Sequence, residues 1–343
     1  MPISKFRGVG ALMLAVVMMM VPVGAWAKKP AQPAAKRVLT LVDTSRKIKA
    51  SMGFAGSETR RIDVKVWVPA GKGPFPLVIY SHGTFGTADN AMHLVRALVD
   101  AGYVVAAPDY PLTSSQAWTK VSFADISDVA EQTRDVSFII TALEGDAVLG
   151  KQIDPARIGT TGHSLGAVTT YFSSFGANTR DPRIVAAAPI AGGDPVQSAF
   201  DVPMGLAGAG YTPVSVPVLF LSGEHDVFTS LTGPPHVAYT RVASPKHELM
   251  VKGGVHVWFT DPRVRQGDAT NPDCDFFGKY QPQMKLPLCE ARYPLIDPER
   301  QRAITREALV AFFDAYLKQD TAALARLKSI GERFAEATIL STP

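Results

Sequence analysis

The sequence predicts an α/β domain built on a mostly parallel, doubly wound sheet flanked by helices. Three observations carry this. Apolar runs of strand length alternate with amphipathic stretches of helical length along most of the chain. Leu77-Val78-Ile79-Tyr80 is apolar without a break, the pattern of a strand buried on both faces. Between an apolar run and a helical one stands Gly162-His163-Ser164-Leu165-Gly166, so that strand passes into its helix through a tight turn carrying a serine.

The chain opens with Lys5 and Arg7, an unbroken apolar run over residues 11–23, and Ala25-Trp26-Ala27. This is the order of an export signal: a cationic start, an apolar segment, a small-x-small cleavage site. The run is shorter than the roughly 20 residues that a membrane-spanning helix needs, so residues 1–27 are expected to be removed rather than to anchor the protein. No cysteine follows the run to accept a lipid. Residues 28–36, rich in Pro and Ala, read as a flexible lead-in, and 28–343 as one domain destined for the periplasm or the exterior.

The net charge of +4 is spread without a basic run, and two of its cations lie in the export segment. Nucleic-acid binding is therefore not expected. The two cysteines, Cys274 and Cys289, are expected to form a disulfide in an oxidising compartment. Without clustered histidines beside them, a zinc site is not expected, and no metal or cofactor is implied.

The predicted strands are 38–42, 61–69 (alternating Ile62, Val64, Val66, Val68), 77–80, 103–107 stopped by Pro108, the serine strand near 157–162, 185–190, 218–221 and 248–251. Helices are expected over 91–101, over 123–149 with apolar residues near a 3.6-residue period, from Ala167 to Phe172, and over 300–318. Residues 262–298, proline-rich and holding both cysteines, are expected as an irregular insertion.

Four segments carry candidate chemistry. A serine hydroxyl attacks a carbonyl only when it projects toward a base, and the sharp turn at Ser164 provides that while placing the Leu165 amide beside it. Upstream, Ser81-His82-Gly83-Thr84-Phe85-Gly86 follows a strand; the Thr84 amide is the candidate second donor to an oxyanion, with Phe85 next. Phe85 is also a candidate substrate contact. His82 is read as a structural residue holding that loop. Leu221-Ser222-Gly223-Glu224-His225-Asp226 runs from a strand into an acidic turn, where an acid can orient a histidine. Asp226 is preferred to Glu224, and Asp194 is the rival. Gly253-Gly254-Val255-His256 follows the last predicted strand, which makes His256 the best base among seven histidines. Trp258 is either core or pocket wall.

With Ser164, Asp226 and His256 in that order, the chain resembles the serine esterase branch of the α/β-hydrolase fold. Within it the chain is similar to bacterial dienelactone-hydrolase-like and platelet-activating-factor-acetylhydrolase-like proteins. The matching pieces are Tyr80-Ser81-His82-Gly83, Ala107-Pro108-Asp109-Tyr110 and Gly162-His163-Ser164-Leu165-Gly166, within a span from about Arg61 to Phe259. The resemblance implies hydrolysis of a small ester or lipid-like substrate through an acyl-enzyme. Dienelactone hydrolases use a cysteine nucleophile, so their activity is not carried over to Ser164. An acyltransferase would use the same residues, and a non-catalytic binding protein is a further alternative. The stretch between the strands ending at Ile190 and beginning at Val218 is too short for a large cap domain, and a serine at 164 excludes the aspartate chemistry of haloalkane dehalogenases and epoxide hydrolases. The oligomeric state is left open by the sequence.

Overall fold

Among the described residues nine strands form a single sheet, and their residues account for how it is covered. β1 (Ala35–Asp43), β2 (Arg60–Val68), β3 (Phe75–Ser81), β4 (Val104–Asp109), β5 (Ile153–His163), β6 (Ile184–Ile190), β7 (Val218–Gly223), β8 (Lys246–Val251) and β9 (Ala337–Thr342) lie in the order β1-β2-β4-β3-β5-β6-β7-β8-β9. The six strands from β4 to β8 in that order run parallel, while β2 pairs antiparallel with both β1 and β4, and β9 with β8. The structure is a computed structural model, described for residues 35–51, 53–116, 125–194, 204–206, 209–232, 235–243, 245–260, 271–280, 285–290 and 292–343. The expected export segment, residues 1–27, lies outside these.

The two-residue period of the strands sends alternate side chains to opposite faces. Val78 and Tyr80 join Val105, Ala107, Leu219 and Leu249 under helices α1 (Met92–Asp100) and α8 (Pro298–Leu317). Leu77 and Ile79 join Ile62, Val64 and Val104 under α2 (Val129–Gly145). That second face continues beneath α3 (Leu165–Phe175), where Phe172 and Phe175 meet Val218 and Phe220. Helices on both faces bury the central parallel strands β3, β4 and β7 almost entirely, with about 1.5–3 kcal/mol from each enclosed Val, Leu, Ile or Phe. The remaining helices are α4 (Val227–Thr232), α5 (Pro235–Arg241), α6 (Asp273–Tyr280), α7 (Pro287–Glu290), α9 (Thr321–Lys328) and α10 (Ile330–Arg333).

Several elements differ from the sequence reading. β4 continues through Pro108 to Asp109. Its pairing with β3 ends at Ala106, and beyond that point it pairs with β2, Val64 opposite Pro108; a proline near a strand end costs little ladder bonding. Helix α2 stops at Gly145 rather than 149, because Asp146 Oδ1 accepts from the Val148 and Leu149 amides at 2.9 and 2.8 Å and closes a turn instead. The cysteine-bearing insertion, expected to be irregular, contains α6 and α7, and its residues 261–270 and 281–284 lie outside the described ones. The C-terminal strand β9 was not expected; it covers the β8 edge through pairs such as Leu249 with Ile339.

A buried ion cluster fastens the antiparallel end of the sheet to α2. Arg60, 1% exposed, donates to Asp135 at 2.6–2.9 Å and to Asp128 at 2.8 and 2.9 Å. Arg46 bridges Asp43 and Asp135 at 2.7 and 2.8 Å. Burial pushes the Asp128 carboxyl up to about 6, against the pull of Arg60. Removing one member of such a cluster strands buried charge, which costs about 3–5 kcal/mol. Arg60→Ala is therefore expected to lower the stability read from urea unfolding by that amount; a midpoint matching wild type would show that the cluster contributes nothing.

Candidate active site

The serine turn lies in the middle of the sheet, at the carboxyl end of β5, where a doubly wound fold opens its crevice. Ser164 joins β5 to α3 with φ 57° and ψ −119°. A non-glycine residue in such a conformation costs of order 1–3 kcal/mol and persists only when its surroundings enforce it. Here the Ser164 amide donates to the Ile190 carbonyl at 2.9 Å. The flanking glycines are obligatory. A Cβ at Gly162 would lie 2.6 Å from the Ser81 carbonyl oxygen, and one at Gly166 would lie 2.7 Å from that of His82.

Asp226 and His256 meet on neighbouring turns at the ends of β7 and β8. His256 Nδ1 is 3.0 and 2.9 Å from the two Asp226 oxygens, and the side chains are deeply buried, at 3% and 4% exposure for Asp226 and His256. With Nδ1–H donating to the carboxylate, the lone pair of the neutral ring sits on Nε2. Burial alone would depress the His256 pKa; the Asp226 charge and hydrogen bond more than offset it and hold the pKa above 6.5. Thr229 fixes the acid by donating its amide to Asp226 Oδ1 at 2.9 Å. The Phe228 ring stacks on His256 with centroids 4.4 Å apart.

His163, next to the serine, ties the His256 turn to the Ser164 turn. Its Nε2–H donates to the His256 carbonyl at 3.0 Å, with ring centroids 4.5 Å apart. Burial, and then the neighbouring His256, keep His163 well below the usual histidine pKa, hence neutral.

The upstream glycine turn closes on the same place. A Cβ at Gly83 would stand 3.0 Å from Ser164 Cβ, so glycine lets this turn approach Ser164 without crowding it. Phe85 has φ 64°, and its amide donates to Thr113 at 2.7 Å. That amide is thereby committed, whereas the Thr84 amide makes no hydrogen bond to any described residue. Leu165 is the first residue of α3, so its amide has no carbonyl one turn back within the helix. His82 holds the turn as expected: Nδ1–H donates to the Gly83 carbonyl at 2.7 Å, and Nε2 accepts from the Tyr110 amide at 3.0 Å.

The other candidates are occupied elsewhere. Asp194 is held by the Tyr211 hydroxyl and the Arg241 guanidinium. Glu224 accepts the Gly253 amide at 2.9 Å and is exposed. His93 contacts the Phe259 carbonyl, His236 pairs with Glu248, and His247 sits between Ser341 and Tyr316. Trp258 is in the main core at 5% exposure, and its indole N–H has no partner among the described residues. Phe85 is half-buried beside Thr84. Among the described residues no group of three or more His, Cys, Asp or Glu is placed to hold a metal ion, and no helix is long and apolar enough to cross a membrane.

The residue that sequence reasoning missed is Asp273, wholly buried against the turns that carry Asp226 and His256. It precedes Cys274, which is disulfide-bonded to Cys289 with Cα atoms 5.6 Å apart. Closing this short loop is worth about 3 kcal/mol. Thiol titration of the unfolded, unreduced protein is expected to find no reactive group, and Cys274→Ser to lower Tm by several degrees; two titratable thiols per chain would refute the bridge.

Neither a protein-family model nor a curated protein matches the chain. Among solved structures it is similar to a ferulic acid esterase from Streptomyces cinnamoneus, with a TM-score of 0.63 and 21% identity over 90% of this chain and 96% of that one. At that identity the likeness speaks for the fold. With the sheet order and the serine turn above, the fold is that of the α/β-hydrolases.

Proposed function

We propose that the protein is an exported serine esterase that hydrolyses carboxylic esters through an acyl-enzyme. The observation that carries this reading is the buried His256–Asp226 pair, joined through His163 to the strained Ser164 turn. Ser164 Oγ attacks the ester carbonyl while His256 Nε2 takes its proton. Asp226 holds the ring tautomer and stabilises the imidazolium. The Thr84 and Leu165 amides donate to the oxyanion, whose collapse expels the alcohol with a proton from His256. Water, activated by the same imidazole, then releases the acid. Every step uses side chains and amides of the chain itself, with no cofactor.

Export is supported by the N-terminal pattern and by the disulfide. Residues 1–27 are read as the cleaved signal and 28–343 as one catalytic domain. The resemblance to dienelactone-hydrolase-like and platelet-activating-factor-acetylhydrolase-like proteins is kept as the finer placement. The neighbour's name adds esters of ferulic acid to the substrates worth trying. The test is turnover of p-nitrophenyl esters from acetate to palmitate and of methyl ferulate, with and without an added alcohol. Release of free acid is expected throughout. Preferential formation of a new ester would make the protein an acyltransferase, and no turnover of any ester would leave a binding protein.

A further inference from the structure

Three backbone amides converge on one carboxylate. Asp273 Oδ2 accepts from the His256 amide at 2.9 Å and from the Val227 amide at 3.2 Å, and Oδ1 accepts from the Val257 amide at 3.1 Å. Val227 directly follows the acid Asp226, and Val257 directly follows the base. Asp273 thus grips the main chain of both turns from behind, while their side chains meet in front. Its approach is fixed by Asn271, whose Oδ1 accepts the Asp273 amide at 3.0 Å and whose Nδ2–H donates to the His225 carbonyl at 2.7 Å. The next residue, Cys274, is covalently tied to Cys289, and both pack with Leu286 and Leu288 against Val227 and Phe228. Phe228 is the ring that stacks on His256.

A carboxylate in a dry site needs a reason, since burial disfavours its charge. Burial, and then the neighbouring Asp226, do raise the Asp273 pKa, with His256 and the amide donors opposing. A neutral residue could have filled this space, and three amides plus a nearby imidazole are what an ionised one would serve.

We propose that Asp273 is a positioning residue for the acid–base pair: it sets the spacing of the Asp226 and His256 turns through their backbone amides, and its charge supports the imidazolium that forms during turnover. The inference rests on the reading of His256 as the base. The disulfide-bonded α6–α7 unit is then a brace that places Asp273. Among the described residues, the ionisable side chains facing His256 are Asp226 from the turn after β7, Asp273 from α6 and the neutral His163 from the turn after β5. Removing the Asp273 charge lowers the pKa of His256, so the acid limb of kcat/KM moves to lower pH. Loss of packing alone lowers activity or Tm without moving that limb.

The experiment compares wild type, Ser164→Ala and Asp273→Asn on the best p-nitrophenyl ester. Asp273→Asn is expected to lower kcat about 10- to 100-fold, to leave KM within about two-fold, and to shift the acid limb downward. A folded Asp273→Asn enzyme with an unmoved limb overturns the proposal, whatever its kcat. Wild-type turnover that survives Ser164→Ala would instead defeat the esterase mechanism. A second measurement, on the wild-type protein, decides if the variant does not fold or no ester is turned over. The His256 ring nitrogen and Asp273 carboxyl carbon resonances are expected to titrate in coupled steps, and independent titration overturns the proposal.

Discussion

Ser164→Ala is expected to lower kcat/KM for esters by about four to six orders of magnitude while Tm stays near the wild-type value. The size of the loss follows from what remains. On the proposed mechanism no acyl-enzyme forms without the hydroxyl, and only substrate binding and the Thr84 and Leu165 amides are left to favour attack by water. The fold survives because what makes the turn tight is backbone. The steric demands at Gly162 and Gly166 and the bond from the Ser164 amide to Ile190 persist with alanine at 164. His256→Ala is expected to cost nearly as much, and the double variant scarcely more than either single one, since serine and base act as a unit. The measurement is the set of three kcat/KM values beside their melting curves. A Ser164→Ala protein within ten-fold of wild type would remove the nucleophile assignment, and additive losses would mean that the two residues serve different steps.

What was legible in the sequence was local. The sheet strands showed because alternate residues must face opposite layers, as Ile62, Val64 and Val66 do. The serine turn showed because backbone crowding leaves two positions that only glycine can fill. The order of Ser164, Asp226 and His256 followed from the turns that end β5, β7 and β8 in chain order. What stayed hidden depends on chain segments that meet only after folding. Arg60 finds Asp128 and Asp135 across 68 and 75 residues. Nothing near Arg60 in the sequence says that it will be buried. Asp273 reaches Val227 across 46 residues, through an insertion whose prolines suggested irregular chain and concealed two short helices. A lone aspartate before a cysteine is an ordinary helix start, and only the converging amides single it out. β9 was missed because its exposed and half-exposed residues give a weak alternation, and its strand form comes from the β8 edge. Asp194 shows the converse. Its place after β6 made it a plausible acid, and folding gave it to Tyr211 and Arg241 instead.

That contrast sets the second large effect. Asp226→Asn is expected to lower kcat about 10^4-fold, because an amide facing Nδ1 can accept its proton but cannot stabilise the imidazolium, and can equally donate and enforce the wrong tautomer. The pH dependence gives an independent reading. In the wild type, burial lowers the His256 pKa and the Asp226 charge more than restores it, so the pKa lies above 6.5. As the proposed base, His256 must be neutral to accept the serine proton, so kcat/KM is expected to fall as pH drops through that raised value. With asparagine at 226 the compensating charge is gone and burial prevails, which moves the remaining activity's acid limb toward lower pH. For stability the sign is opposite. A histidine with a raised pKa stabilises the folded state fully below 6.5 and loses that contribution as pH rises through its folded value, so Asp226→Asn should destabilise more at pH 5 than at pH 9. Asp194→Asn is the matched control, a buried carboxylate at the end of a neighbouring strand. It is expected to lower Tm by disturbing Tyr211 and Arg241 while keeping kcat within about ten-fold and leaving the limb in place. A larger kcat loss for Asp194→Asn than for Asp226→Asn would transfer the acid's role to Asp194.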